Sequence, residues 1–276
     1  MARLVGAFSV AHVPLIASQP GVAEKRQRDR VMEAFARIRA RMSELQVDTA
    51  IVIGDDHYTV FGPHCLPNLL IGIGDVDGPH ENWLGHKRAP IANNPGLATH
   101  IMEYGRDHGF DWAVAKTLTV DHSLFVPYLK VIKDLDNVKM IPVYIAAGVE
   151  PLIKPKPCVQ IGEIIRDAVD ACAGSERVAI IGTGGLSHWV GMPQMGKVNV
   201  DFDQRMLDMI RRRDIDAMLA LTDEYVLETA GNGALEYRNW LVAMGAVKEY
   251  DMELLCYEPI TQWVTGTALV EFRFGA

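Results

Sequence analysis

Cysteine is scarce. The chain of 276 residues holds four, Cys65, Cys158, Cys172 and Cys256, and no two form a CxxC pair. A disulfide framework is therefore not expected; small buried thiols in a reducing cytoplasm fit the pattern. Long apolar runs are also missing. Without 18 or more consecutive apolar residues there is no transmembrane helix to expect. Arg3 and the mostly apolar Leu4–Ala17 have the outline of a signal peptide. Ser9 and His12 break the run, however, and no small-x-small cleavage site follows, so this stretch reads as a first strand. Positive charge is in deficit. With 27 Lys and Arg against 35 Asp and Glu, the formal charge is −8. That argues against a nucleic-acid partner, which would want a basic patch. It also means that an anionic substrate would need local cationic or hydrogen-bonding groups.

What is present is apolar residue, 49% of the chain, enough for a large core. Strand-like runs are expected at Leu4–Val10, Thr49–Gly54, Leu69–Ile73, Trp112–Val120, Val138–Ala146, Val178–Gly182, Glu253–Pro259 and Thr267–Phe274. Helix-like runs are expected at Val22–Leu45, Gly96–His108, Gln160–Ala173, Asp201–Arg212, Ile215–Glu228 and Ala234–Ala243. In the first helix, Val31, Phe35, Ile38, Met42 and Leu45 recur every three or four residues, as a core-facing stripe does. This alternation predicts one α/β domain over 1–276, three layers deep, with a mixed central sheet. Gly62–Pro95, rich in Pro, Gly, Asn and His, reads as a long loop excursion. Leu152–Pro157 reads as a second irregular crossing.

Ligands of α/β sheets gather at the carboxyl ends of strands. Four histidines stand where an expected strand ends: His12 after LVGAFSV, His57 after AIVIGDD, His122 after TLTVD, and His188 after VAIIGTGGLS. A fifth element is GNGALEYRNWL, where Glu236 falls in the first turn of a helix. Taken singly, each has a plainer role: a hydrogen-bonded structural histidine, a turn-capping Asp55 or Asp56, a glutamate opposing a helix dipole. Taken together, two histidines and one carboxylate make the facial triad that leaves open positions on non-haem Fe(II). The remaining imidazoles would be free for acid–base work. His64, His80, His86, His100 and His108 fit no ligand spacing and read as loop or surface residues. The GTGG turn is not a dinucleotide loop, because Ser187 stands where GxGxxG needs glycine.

The motifs SVAHVP, GDDHYTVF, VDHSLFVP, GTGGLSHW and GALEYRNWL, in this order from about residue 5 to 270, resemble the LigB-type (class III) extradiol ring-cleaving dioxygenases. The pattern is similar to that of the protocatechuate 4,5-dioxygenase β subunit. The resemblance implies a LigB-like fold and an Fe(II) centre held by His12, His57 and Glu236. It also implies His188 as catalytic acid/base, His122 as a second active-site imidazole, and Asp56 orienting His57 from behind. The implied reaction opens a catechol-like aromatic or heteroaromatic ring with both atoms of O2. Asp55 departs from the usual Asn-Asp-His. At WVTGTALV, Gly266 removes an amide donor that would anchor a ring carboxylate. Thr265, Thr267 or Arg238 is left to contact substrate there. The expected partners are a small aromatic diol and O2, with a homo-oligomer or a small helical companion subunit closing the site. No helical domain is expected to be fused at the C-terminus. A zinc-type metallohydrolase on the same residues and a non-catalytic interaction module are the alternatives.

Overall fold

The structure, a computed structural model, describes residues 1–275. Nine strands form one sheet: β1 (Arg3–Val10), β2 (Thr49–Gly54), β3 (Leu69–Gly78), β4 (Ala89–Ile91), β5 (Ala113–Thr119), β6 (Lys139–Ile145), β7 (Arg177–Thr183), β8 (Asp251–Ile260) and β9 (Thr265–Arg273). The helices are α1 (Leu15–Ser18), α2 (Lys25–Glu44), α3 (Pro95–Asp107), α4 (His122–Pro127), α5 (Pro155–Ala171), α6 (Val200–Arg212), α7 (Ile215–Leu219), α8 (Asp223–Ala230) and α9 (Tyr237–Val247).

The sheet order is β4-β3-β6-β2-β7-β1-β9-β8, with β5 beside β3. The four central strands, β6, β2, β7 and β1, are parallel. β9 and β3 flank them in the antiparallel sense. The central strands are unbroken apolar runs because both their faces are covered. In β2, Ile51 and Ile53 enter one core while Ala50 and Val52 enter the other. β7 splits its residues the same way, Val178 and Ile180 from Ala179 and Ile181. Buried residues of α2 and α4 pack in one core, and those of α3, α5, α6 and α9 in the other. The three-layer architecture with a mixed sheet is as the sequence predicts.

Several boundaries differ for local reasons. In the stretch 62–95, expected as a loop excursion around a short strand at Leu69–Ile73, that strand runs on to Gly78 as β3, and β4 joins the sheet as well. Glycine and aspartate in LLIGIGDVDG mask a ten-residue strand that bulges against β5 between Gly72 and Asp75. The expected irregular crossing at 152–157 is cut short because Pro155 takes the first turn of α5, where its missing N–H costs nothing. The single helix expected over Ile215–Glu228 is two, α7 and α8, since Thr222 caps the second by accepting from the Tyr225 N–H. Val31, Phe35, Ile38 and Met42 of α2 are buried as the stripe requires, while Leu45 lies just past the helix end.

Candidate active site

β2, β7 and β1 are adjacent and parallel, so their carboxyl ends open on the same edge. Three histidines follow from those ends: His57 three residues beyond β2, His188 five beyond β7, and His12 two beyond β1. His122 arrives by another route. β5, which precedes it, is parallel to β3 and therefore antiparallel to the central strands. The residue enters the site as the first of α4, which packs against β2 and β7. Glu236 closes a 3-10 turn, Gly233–Glu236, ahead of α9, and is buried.

The side chains converge. Glu236 Oε2 is 3.3 Å from His12 Nε2, and its Oε1 lies 3.2 Å from His57 Nε2 and 3.4 Å from His188 Nε2. The His57 and His122 ring centres are 4.3 Å apart, and His12 is 5.3 Å from the first and 5.6 Å from the second. His12, Asp55, His57 and Glu236 each present an atom within 4.8 Å of the others, a spacing a single cation can bridge.

Each imidazole is held by Nδ1, leaving Nε2 to the interior. His188 Nδ1 donates to the Leu186 carbonyl at 2.8 Å. A carbonyl only accepts, so in the neutral ring Nε2 carries the lone pair. His57 Nδ1 donates to Asp121 at 3.2 Å, and His122 Nδ1 to Glu81 at 2.5 Å. His12 Nδ1 sits 2.9 Å from Thr183 Oγ1. His12 Nε2 is buried with no hydrogen-bond partner, and so is Asp55 Oδ2. Orphaned, convergent nitrogen and oxygen atoms of this kind fit a borderline divalent cation.

Electrostatics agree. Burial pushes the Glu236 carboxyl up, yet the His12 and His188 imidazoles outweigh it and hold the group well below the usual carboxylate range. Burial opposes charge on His57, but Asp55, Asp121 and Glu236 hold its pKa well above the ordinary imidazole value. Burial raises Asp55 to about 6. His122 is pushed down by burial and by His57. A cation entering this cluster replaces protons, so its binding weakens as pH falls.

Backbone room at the site comes from glycine. Gly184 has φ +133°, and a Cβ there would stand 2.7 Å from Glu236 Cβ. A Cβ on Gly233 would lie 2.0 Å from His188 Nε2. Gly266 has a similar origin: its Cβ would meet the Asp203 carboxylate at 1.9 Å. Asp203 accepts from the Ser187 N–H and the Tyr257 hydroxyl, which ties β8 to the loop bearing His188.

Three expectations are corrected. Asp56 does not touch the His57 ring. Its carboxylate accepts from the Thr59, Val60 and Phe61 N–H groups and fixes the turn after His57. Asp121 is the carboxylate behind His57. Thr265 lines the cavity, but Thr267, one strand repeat further along β9, is fully buried and does not reach it. Arg238 is also fully buried and is taken by the Ile153 and Leu235 carbonyls and Asp223, so it meets no substrate.

Two residues were missed. Asp121 caps α4 and also accepts from Ser123 and Tyr144. Its signal was a carboxylate beside a histidine at a strand end. Glu81, buried, belongs to the HENWLGH segment, whose spacing carries no ligand pattern. Asp121→Asn is expected to weaken divalent-metal retention about ten- to a hundredfold, read by competition with a chelator. Unchanged affinity would mean that this carboxylate does not orient His57.

His12, His57, His122, His188 and Glu236 share the wall of one cavity of about 690 Å³. A polar cluster at the carboxyl edge of a parallel sheet, open to such a cavity, defines a metal-site α/β enzyme. Residues 6–268 match the family described as the catalytic LigB subunit of aromatic ring-opening dioxygenase. The chain belongs to that family and is an extradiol-type ring-cleaving dioxygenase. A 2,3-dihydroxyphenylpropionate/2,3-dihydroxicinnamic acid 1,2-dioxygenase of Photorhabdus laumondii is 23% identical over 309 residues and covers 94% of each chain. The enzyme of that name from Rhodococcus globerulus is 24% identical over 286 residues, 87% of this chain and 89% of the relative. In fold, the chain is similar to an uncharacterized protein, JW3007, from Escherichia coli K12, with TM-score 0.63 and 12% identity over 98% of this chain and 100% of that one. No helix among the described residues is long and apolar enough to cross a membrane.

Proposed function

We propose that the protein uses Fe(II), held by His12, His57 and Glu236, to open a catechol-like ring beside its hydroxyl pair. The observation that carries this reading is the buried, unpartnered His12 Nε2 facing Glu236 and His57 within one cation's reach. Two neutral imidazoles and a carboxylate suit ferrous iron and leave open positions on it. When bound, the metal supplies Lewis acidity and a common site for the diol and O2.

The protein's own groups do the rest. His188, with Nδ1–H tied to Leu186, offers Nε2 to take a proton from a ring hydroxyl and later to return it. His122 faces the same cavity with Nδ1 tied to Glu81, so its Nε2 accepts a hydrogen bond from substrate or oxygen. Thr265, which lines the same cavity, contacts the ring. Asp121 keeps His57 in the tautomer that presents Nε2. We place the enzyme in the cytoplasm as a single catalytic domain. A second copy of the chain or a small helical companion subunit closes the cavity mouth.

The test is anaerobic loading with Fe(II), then an oxygen electrode. Addition of a catechol should consume one O2 per ring, with both atoms recovered in the open-chain product when labelled O2 is used. Zinc-loaded protein should consume none. Turnover that needs zinc and no oxygen would overturn the reading.

A further inference from the structure

We infer that the ring this enzyme takes carries an uncharged, apolar substituent, and that an ionised side chain on the ring is selected against. The inference rests on the ring-opening reading above and goes further by naming the substrate class.

The cavity, about 690 Å³, has room for a ring and a sizeable substituent. Among the described residues, no lysine or arginine lines it. The two basic groups closest in sequence to the site are engaged elsewhere. Arg238 is buried against carbonyls and Asp223, and Lys197 Nζ sits 4.9 Å over the Trp189 ring. Outside the imidazoles of the metal cluster, the ionisable groups that line the cavity are carboxylates, Glu81 and Glu236, and Glu81 Oε2 is buried with no hydrogen-bond partner. The polar groups left over, His80, Thr59 and Thr265, offer hydrogen bonds without a fixed positive charge. A substituent carboxylate carried away from the imidazole cluster into this space would lose its hydration and meet no lysine or arginine.

The mouth is suited to the opposite chemistry. Tyr58, Trp83, Val190 and Met195 line the cavity, and each is an exposed large apolar side chain, at 56, 61, 44 and 57%. Apolar area of this kind left in water is unfavourable, and an apolar substituent reaching out from the ring would cover it. Trp83 is 6.4 Å, centre to centre, from His122, so a group projecting from a ring beside that histidine meets the indole. The relatives above are named for a ring bearing a propionate; the lining of this cavity holds no lysine or arginine to receive one.

The experiment is anaerobic calorimetry on the metal-free and the ferrous protein. Three probes are compared: unsubstituted catechol, 3-phenylcatechol, and catechol bearing a 3-carboxyethyl chain. In both forms of the protein, 3-phenylcatechol should bind at least about tenfold more tightly than the carboxyethyl compound, the scale of one missing charged hydrogen bond. Trp83→Ala should weaken 3-phenylcatechol about three- to tenfold and leave catechol unchanged. Equal or tighter binding of the carboxyethyl compound overturns the inference, and so does a Trp83→Ala loss shared equally by catechol. If the protein takes up no Fe(II) and binds no ring, the ring-opening reading itself falls. If it opens catechol yet prefers the carboxylate, only the substituent preference is wrong.

Discussion

His12→Ala will yield a folded protein that does not retain Fe(II) and opens no ring. His12 is one of three groups that surround the proposed ion, and its Nε2 has no other use in the fold, since it meets no hydrogen-bond partner. Its removal leaves His57 and Glu236, too few to compete with water and buffer, and affinity should fall more than a hundredfold, beyond the effect expected of a group that only supports a ligand. The fold should survive. The truncation leaves Thr183 Oγ1 without its 2.9 Å contact, a loss of about 1–3 kcal/mol set against a large two-sided core. Metal content after gel filtration, together with a thermal melt, decides the matter. Iron held at full occupancy would remove His12 from the ligand set.

His188→Ala should separate binding from chemistry. The variant is expected to keep its iron and lose about 10²- to 10⁴-fold in kcat, the range for removing a positioned acid–base group. The distinction is sharp because His188 Nε2 stands only 3.4 Å from Glu236, near enough to be mistaken for a ligand. Its Nδ1 bond to Leu186 fixes the ring orientation, and the absence of a Cβ at Gly233 leaves room at its Nε2 edge. Single-turnover kinetics on protein of known iron content gives the answer. Iron lost as completely as in His12→Ala would place His188 on the metal, and an unchanged kcat would remove it from the proton path.

Much of this was legible in the sequence, for physical reasons. Strands buried on both faces must be continuous apolar runs, so β1, β2, β6 and β7 announce themselves, and residues just beyond their carboxyl ends are candidates by topology alone. His12, His57 and His188 follow that rule. Glu236 was marked by the Gly-Asn-Gly that opens its turn. The remainder depends on contacts that no local spacing encodes. Asp121 and Glu81 meet their histidines across 64 and 41 residues. β3 was expected only as far as Ile73, its second half being masked by the glycines and aspartates around its bulge. Asp56 faced two equally good uses, a ring or a turn, and the three N–H groups following it were nearer. Thr267 has the chemistry of a substrate contact, but its depth along β9 is set by pairing with Glu258 on β8.

The two ends of the proposed metal site are far apart in the chain. Glu236 meets His57 across 179 residues and is supplied from the last sixth of the polypeptide. On the proposed ligand set, a chain still on the ribosome has the two histidines and lacks the carboxylate that completes the site. Completion of that set waits for the turn ahead of α9 to dock on the finished sheet, and a chain cut short before it is expected to be inert toward oxygen.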